Sequence, residues 1–219
     1  MTIQKHQPAH GRLFFQENTM PRVAQFDRQV AVERALKLFW SRGYYASSMK
    51  HVEEALDMRP GSLYATFGSK SGLFAEALEE YASRIDADFT DMVESAPTVV
   101  EGLKRYLHLI ARLCSRDAQM PAQACMLIKT ILEVNAEAAL VQQQAQSMLA
   151  VIEKRIGDVL EKARSEGELR ADVDCRRLAR MVQAQIIGLR AFAARDIPDD
   201  QLEALADDMS RLLDCYRAG

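Results

Sequence analysis

Residues 56–74 read LDMRPGSLYATFGSKSGLF, a run of Pro, Gly and Ser punctuation set between two stretches of helical apolar periodicity. No feature restricts the fold more, because each break in a helix has to be met by a cap or a tight turn. Upstream, Ala31, Ala35, Leu38 and Phe39 recur at i, i+4, i+7, i+8, the stripe of an amphipathic helix, and Gly43 stands just beyond as a left-handed C-cap. The spacing predicts a helix over 27–42. Ser47 or Ser48 N-caps a second, short helix that buries Met49, Val52 and Leu56 and ends near Leu56. Asp57-Met58 has room only for a tight turn. Pro60 then suits the first position of a third helix, since its fixed φ is helical and its missing N–H would be unpaired there. Leu63 and Phe67 lie four apart on one face of that helix. Two short helices joined by a tight turn make a helix-turn-helix, whose second helix inserts its N-terminal end into the major groove of DNA. Gly61 removes the side chain that would hold the backbone away from the bases. Gly68 closes the third helix and Ser69 caps a fourth, with its stripe at Leu73, Phe74, Ala77, Leu78 and Tyr81.

Beyond Pro97 the periodicity predicts further helices over 99–115, from Pro121 to about 134, over 137–165 with Gly167 ending it, over 174–194, and over 199–216 opened by Pro198. No alternating strand pattern and no internal repeat interrupts them. The expected architecture is all-α: an N-terminal three-helix helix-turn-helix unit over 26–72 and a larger C-terminal helical domain over 73–219, to which the resemblance described below assigns DNA binding and ligand binding with dimerisation, respectively. Helix four, about 69–90, connects the two. Residues 1–25 are expected to form a flexible arm, and Met20, just before Pro21-Arg22, raises the question of an upstream start codon.

The 219 residues, 48% hydrophobic and 27% charged, suffice for a folded core, and no run of eighteen apolar residues is present to span a bilayer. Cys114, Cys125, Cys175 and Cys215 are widely spaced with no CxxC pair, which points to free thiols in a cytoplasmic protein rather than to a disulfide framework or a zinc finger. The net charge of −3 conceals a split. Between residues 20 and 75, Arg22, Arg28, Arg34, Lys37, Arg42, Lys50, Arg59 and Lys70 outnumber Asp27, Glu33, Glu53, Glu54 and Asp57. The histidines lack the HExxH spacing of a metal site, and no Gly-rich phosphate loop follows a strand, so no cofactor, metal or catalytic residue is expected and the chain is read as a non-enzyme.

The segment LFWSRGYYASSMKHVEEALDMRPGSLYATFGSKSGLFAEALEEY, residues 38–81, resembles the DNA-binding domain of the TetR/AcrR family of bacterial transcriptional regulators. The resemblance rests on the Gly-Tyr pair after helix one, the Ser47-Ser48 hydroxyl pair, the turn into GSLY, Phe67, and Gly68-Ser69-Lys70. It implies a homodimer whose variable C-terminal domain binds a small molecule and sets the spacing of two N-terminal domains on double-stranded operator DNA. Two departures stand out: Asp57 occupies a turn position that usually holds Gly, and Arg59-Pro60 replaces the more usual Ser-Lys or Pro-Lys. Asp tolerates the left-handed conformation, and Arg59 supplies a bidentate guanine reader.

By that resemblance Tyr64 and Lys70 contact DNA phosphates, as do Ser47 and Ser48, with Lys50 beside them. Arg59, Ser62 and Ala65 are the base-edge candidates, with Pro60 and Gly61 giving close approach. Leu103, Tyr106, Leu107, Ile110, Cys125, Met126, Ile131, Met148 and Ile152 are candidates for a hydrophobic cavity that takes a hydrophobic or aromatic effector, and each of them fits a core position equally well. Ala184, Ile187, Gly188 and Ala191 are small or apolar and suit a dimer interface. Cys125, expected about four residues into the helix opened by Pro121, has Lys129 one turn on and is a candidate sensing thiol, although a lone Cys on an apolar helix is more often a buried hydrophobe. Cys114 and Cys215 read as core fillers. The function expected is a ligand-released repressor. The alternatives are an electrophile- or redox-sensing repressor acting through Cys125, and a DNA-localised protein-interaction module without a small-molecule ligand.

Overall fold

The computed structural model describes residues 27–115, 124–135, 138–195 and 197–219. The expected arm, Met20 and the helix-opening Pro121 lie outside them. Among the described residues the chain forms nine α-helices: α1 (Arg28–Arg42), α2 (Met49–Leu56), α3 (Pro60–Phe67), α4 (Lys70–Glu94), α5 (Val99–Leu113), α6 (Met126–Glu133), α7 (Ala139–Ser165), α8 (Cys175–Ala193) and α9 (Asp199–Arg211). The fold class expected from periodicity is the one observed. The bridge between Leu169 and Arg217 is the single β-type pairing among the described residues.

The first four helices are delimited by the local chemistry of their ends. The Asp27 carboxylate accepts the N–H groups of Gln29 and Val30 and so caps α1. Ser48 opens α2 with a capping box, its hydroxyl accepting from His51 N while the His51 ring accepts from Ser48 N. Asp57 takes φ 53° and ψ 46°, the left-handed turn conformation expected of it. Pro60 is the first residue of α3, and Ser69 caps α4 through Gly72 N.

Two apolar clusters result, and two helices serve both. α1, α2 and α3 bury Leu36, Phe39, Val52, Leu56, Leu63 and Phe67 against Leu73, Phe74 and Leu78 of α4. Phe39 meets Phe74 edge to face, with ring centroids 4.8 Å apart. This cluster does not stop at the three-helix unit, because Met126 and Leu127 of α6 and Val141 and Ala145 of α7 complete it. The second cluster joins Phe89 of α4 to α5, the later part of α7, α8 and α9.

Four expectations need correcting. α4 runs on to Glu94 rather than ending near 90, because its apolar stripe continues through Phe89 into the second cluster. Cys125 is not inside α6 but at its N-cap, with φ −49° and ψ 124°, and its carbonyl accepts the first turn's Lys129 N–H. The last α-helix stops at Arg211 and tightens into a 3-10 helix over Leu212–Tyr216. Cys215 on that turn is exposed, whereas Cys114, Cys125 and Cys175 are buried.

Ser48→Ala removes one half of the capping box and should cost about 1 kcal/mol. Calorimetry should find the midpoint of unfolding lowered by roughly 2–4 °C in a chain of this size; an unchanged midpoint would show that the box contributes nothing.

Candidate nucleic-acid interface and effector cavity

α3 has one face that the fold needs and one that it leaves open. Leu63 and Phe67 are buried, which turns Arg59, Pro60, Gly61, Ser62, Tyr64 and Ala65 to the outside. Tyr64 is 49% exposed, although it is a large aromatic residue that core packing would normally claim. A Cβ at Gly61 would meet nothing within 4 Å, so the helix start is bare backbone. Arg28 holds the far end of α3 in place: its guanidinium lies 5.0 Å from the Phe67 ring centroid, donates to Thr66 O, and pairs with Glu76 of α4. Lys50 projects from α2 with its side chain 82% exposed, 3.8 Å from Glu54. The sequence-predicted readers are thus brought together on the exposed face of one helix, with Lys50 exposed on α2.

Two of the predicted phosphate contacts sit differently. Ser47 is fully buried and donates its hydroxyl to Gly43 O at 2.7 Å, so of the hydroxyl pair only Ser48 stays at the surface. The loop between α1 and α2 has to turn back on itself, and a hydroxyl facing inward satisfies the carbonyl left over at the end of α1. Lys70, the first residue of α4, does not extend freely into solvent: its Nζ stands 4.4 Å from the Tyr44 ring centroid. Partial burial lowers its pKa, while the charge of Glu133 works the other way.

Glu133 was not legible in the sequence. From the last turn of α6 its carboxylate accepts the backbone N–H groups of Tyr44 at 3.1 Å and Tyr45 at 2.8 Å, in the loop that feeds α2. Lys129, one turn earlier, donates to Trp40 O at 2.6 Å, and Trp40 Nε1 donates to Ala124 O at 2.9 Å. The Tyr45 hydroxyl bonds to Asn135. α6 is therefore tied to the end of α1 by charged and neutral hydrogen bonds rather than by apolar contact alone. Gly43 makes this possible. It has φ 87° and ψ 175°, positive as expected but outside the left-handed helical region, and a Cβ there would come within 2.9 Å of the Glu133 Cδ.

Behind this junction lies a cavity with about 520 Å³ of space between its atoms, of which about 30 Å³ admits the centre of a water molecule. α4 contributes Ile85, Asp86 and Phe89, α5 Tyr106, α7 Leu149, Ile152, Arg155 and Ile156, and α8 Gln183, Ile186, Ile187 and Arg190; Cys125 closes the side next to α6. Of the predicted cavity residues, Tyr106, Cys125 and Ile152 line it. Leu103, Leu107, Ile110 and Met126 are fully buried core, and Ile131 and Met148 pack on the N-terminal cluster. Ile187, expected at a dimer interface, forms part of the cavity wall, while Ala184 and Ala191 are exposed on α8 and Gly188 is half-buried. Arg190 is only 5% exposed and went unnoticed in the sequence, where it reads as one more cation of a charged helix. Burial pushes the Tyr106 hydroxyl up to about 12, opposed by the Arg190 charge beside it, and also raises Tyr81 and Cys114. Among the described residues no cluster of three or more His, Cys, Asp or Glu stands ready for a metal ion, and no helix is long and apolar enough to cross a membrane.

Residues 31–77 match the family model for bacterial regulatory proteins of the tetR family, and residues 102–207 match the tetracyclin repressor-like C-terminal domain. A cysteine mutant of CifR, a TetR family transcriptional regulator solved in complex with 26-base-pair double-strand operator DNA, is 30% identical; the match covers 85% of this chain and 96% of that one, with a TM-score of 0.79. This chain belongs to the tetR family. It is a DNA-binding transcriptional regulator of the helix-turn-helix type. ComR, an HTH-type transcriptional repressor of Escherichia coli K12, is 29% identical over 188 residues, 85% of this chain and 89% of its own length. A tetR-family regulator from Cytophaga hutchinsonii shares the fold at a TM-score of 0.75 with 19% identity.

The Gly43–Glu133 contact yields a test of the junction. Gly43→Ala should destabilise by about 2 kcal/mol or more through strain and overlap. In a Glu133→Ala background the same change should cost clearly less, because the overlapping carboxylate is gone. Equal costs in a denaturant-unfolding double-mutant cycle would show that the loop's own backbone, and not the carboxylate, demands glycine.

Proposed function

We propose that the protein is a cytoplasmic homodimeric repressor that holds a palindromic operator through α3 and leaves it when a small hydrophobic or aromatic molecule enters the cavity. The observation that carries this reading is the exposed face of α3, where Arg59, Ser62, Tyr64 and Ala65 stand on a backbone that Leu63 and Phe67 fix from behind. The 30% identical relative solved on operator DNA supports it. Arg59 reads a guanine edge, Ser62 and Ala65 contact neighbouring bases, and Ser48, Lys50, Tyr64 and Lys70 hold phosphates. Ala184, Gly188 and Ala191 of α8 offer a small-residue face to a second copy.

The size of the cavity supplies the release mechanism. Sites for small organic ligands generally enclose about 300–1,000 Å³. The roughly 30 Å³ of water-accessible space here is room for about two waters, so an effector has to part the walls. One wall is α4, which also carries the core of the reading unit. A ligand that fits only the widened cavity favours a reading-head spacing that no longer matches two half-sites. A cavity walled mostly by apolar side chains also favours small-molecule sensing over a role as a protein-interaction module.

A second reading has its own observation: the Cys125 thiol lies at the N-cap of α6 and in the cavity wall, where a modifying electrophile would press on the α6 junction. In that case Cys125→Ser protein should stay on its operator when treated with a quinone or hypochlorite that releases the wild type. Release of both proteins alike would eliminate it.

Selection from a random DNA pool should return a palindrome bound with steep salt dependence. Lys70→Ala should weaken binding to all sequences alike and lower the salt slope by about one, whereas Arg59→Ala should relax preference at one base pair by about 1–3 kcal/mol. An unchanged preference profile for Arg59→Ala would refute the base-reading role.

A further inference from the structure

We propose that the molecule recognised in the cavity is an organic anion, a hydrophobic monocarboxylate whose carboxylate seats on Arg190. This rests on the effector-cavity reading above and adds the chemical class of the ligand. Arg190 is 5% exposed, lines the cavity, and has no carboxylate within ion-pairing distance among the described residues. A guanidinium stays charged inside a protein. A buried charge without a close counter-ion is strongly disfavoured, so its retention calls for a partner that the described residues do not supply.

The groups that face Arg190 are hydroxyls and thiols, those of Tyr81, Tyr106, Cys114 and Cys125, with the Tyr106 hydroxyl hydrogen-bonded to it and the Asp88 carboxylate also within reach of its charge. The nearest acids are otherwise placed. Asp88 is half-buried, and burial raises its pKa against the pull of Arg190; Asp86 at the cavity wall is engaged by Arg155 at 3.8 Å. A second polar group points the same way. The Tyr81 hydroxyl is buried beside Arg190, the Cys125 thiol and the Met126 backbone, and no partner among the described residues reaches it at full hydrogen-bonding geometry. At the cavity wall the cation stands with the Tyr106 hydroxyl, and Tyr81 lies behind them, a setting for one acceptor group carrying one negative charge. The planar guanidinium fork matches a carboxylate in shape. Around them, Ile85, Phe89, Leu149, Ile152, Ile156 and Ile186 provide walls for an aliphatic or aryl tail. The small water-accessible space that Arg190 lines admits water to the cation, and an incoming carboxylate replaces that water.

Octanoate and 4-phenylbutyrate, each compared with its own primary amide, test this on the full-length protein by calorimetric titration and thermal shift. The acids should bind at least about tenfold more tightly than the amides, which have the same shape and no charge. Arg190→Met should abolish that preference while leaving amide binding, and Arg190→Lys should keep part of it. Amides that bind as tightly as acids, or an Arg190→Met protein with the preference intact, would overturn the anion assignment and leave the cavity reading standing. No binding by acids or amides would overturn both, with operator selection still an independent measure of the DNA-reading role. If circular dichroism shows Arg190→Met to be unfolded, the acid–amide comparison in the wild type decides, with Arg190→Lys as the second variant.

Discussion

α4 belongs to both cores, and the rest of the molecule is arranged around that constraint. The first half of α4 supplies Leu73, Phe74 and Leu78 to the cluster that supports α3, and its second half supplies Phe89 to the cluster around α5 and α8. Close-packed interiors yield little to small displacements, so the two ends of a continuous helix move together. α7 repeats the arrangement, with Val141 and Ala145 on one side and Ile156 and Leu160 on the other. The reading unit therefore has no core of its own to retreat into. Its helices are short, α2 and α3 having eight residues each, and depend on the longer helices for burial.

Polar ties sharpen this mechanical picture. Apolar contact is non-directional and lets surfaces slide, whereas the Glu133 carboxylate on two successive amides and Lys129 on a helix-terminal carbonyl fix orientation. α6 begins at the cavity wall with Cys125 and ends at Glu133 against the loop that feeds α2. Eight residues of helix thus span the distance from chamber to reading head.

The N-terminal half was legible because its signals are local. Asp57, Pro60, Ser69 and the Leu63–Phe67 pair each state their backbone requirement within four residues, and the left-handed Asp57 and the Pro60 helix start stand where that chemistry puts them. The cavity was less legible, because periodicity reports which face of a helix is apolar and not how deep each residue lies. Leu103, Tyr106, Leu107 and Ile110 share one stripe on α5, yet only Tyr106 reaches the void. Ser47 and Ser48 are chemically equal neighbours, and the fold alone decides that one faces inward. Glu133 and Arg190 were missed for a common reason: each derives its role from groups distant in the chain, Tyr45 lying 88 residues from Glu133.

Trp40, the one tryptophan in the chain, stands at the junction. Its indole N–H bonds to Ala124 O, its own carbonyl receives Lys129, and its ring lies 5.0 Å from that of Tyr81. The molecule thus carries its single tryptophan at the seam between its two halves, half-buried and hydrogen-bonded across it, where excitation to the red of the tyrosines selects it. Any parting of α6 from α1 wets that indole, so a shift of its emission to the red gives an optical record of the seam's opening, without a dye and with no second tryptophan to blur it.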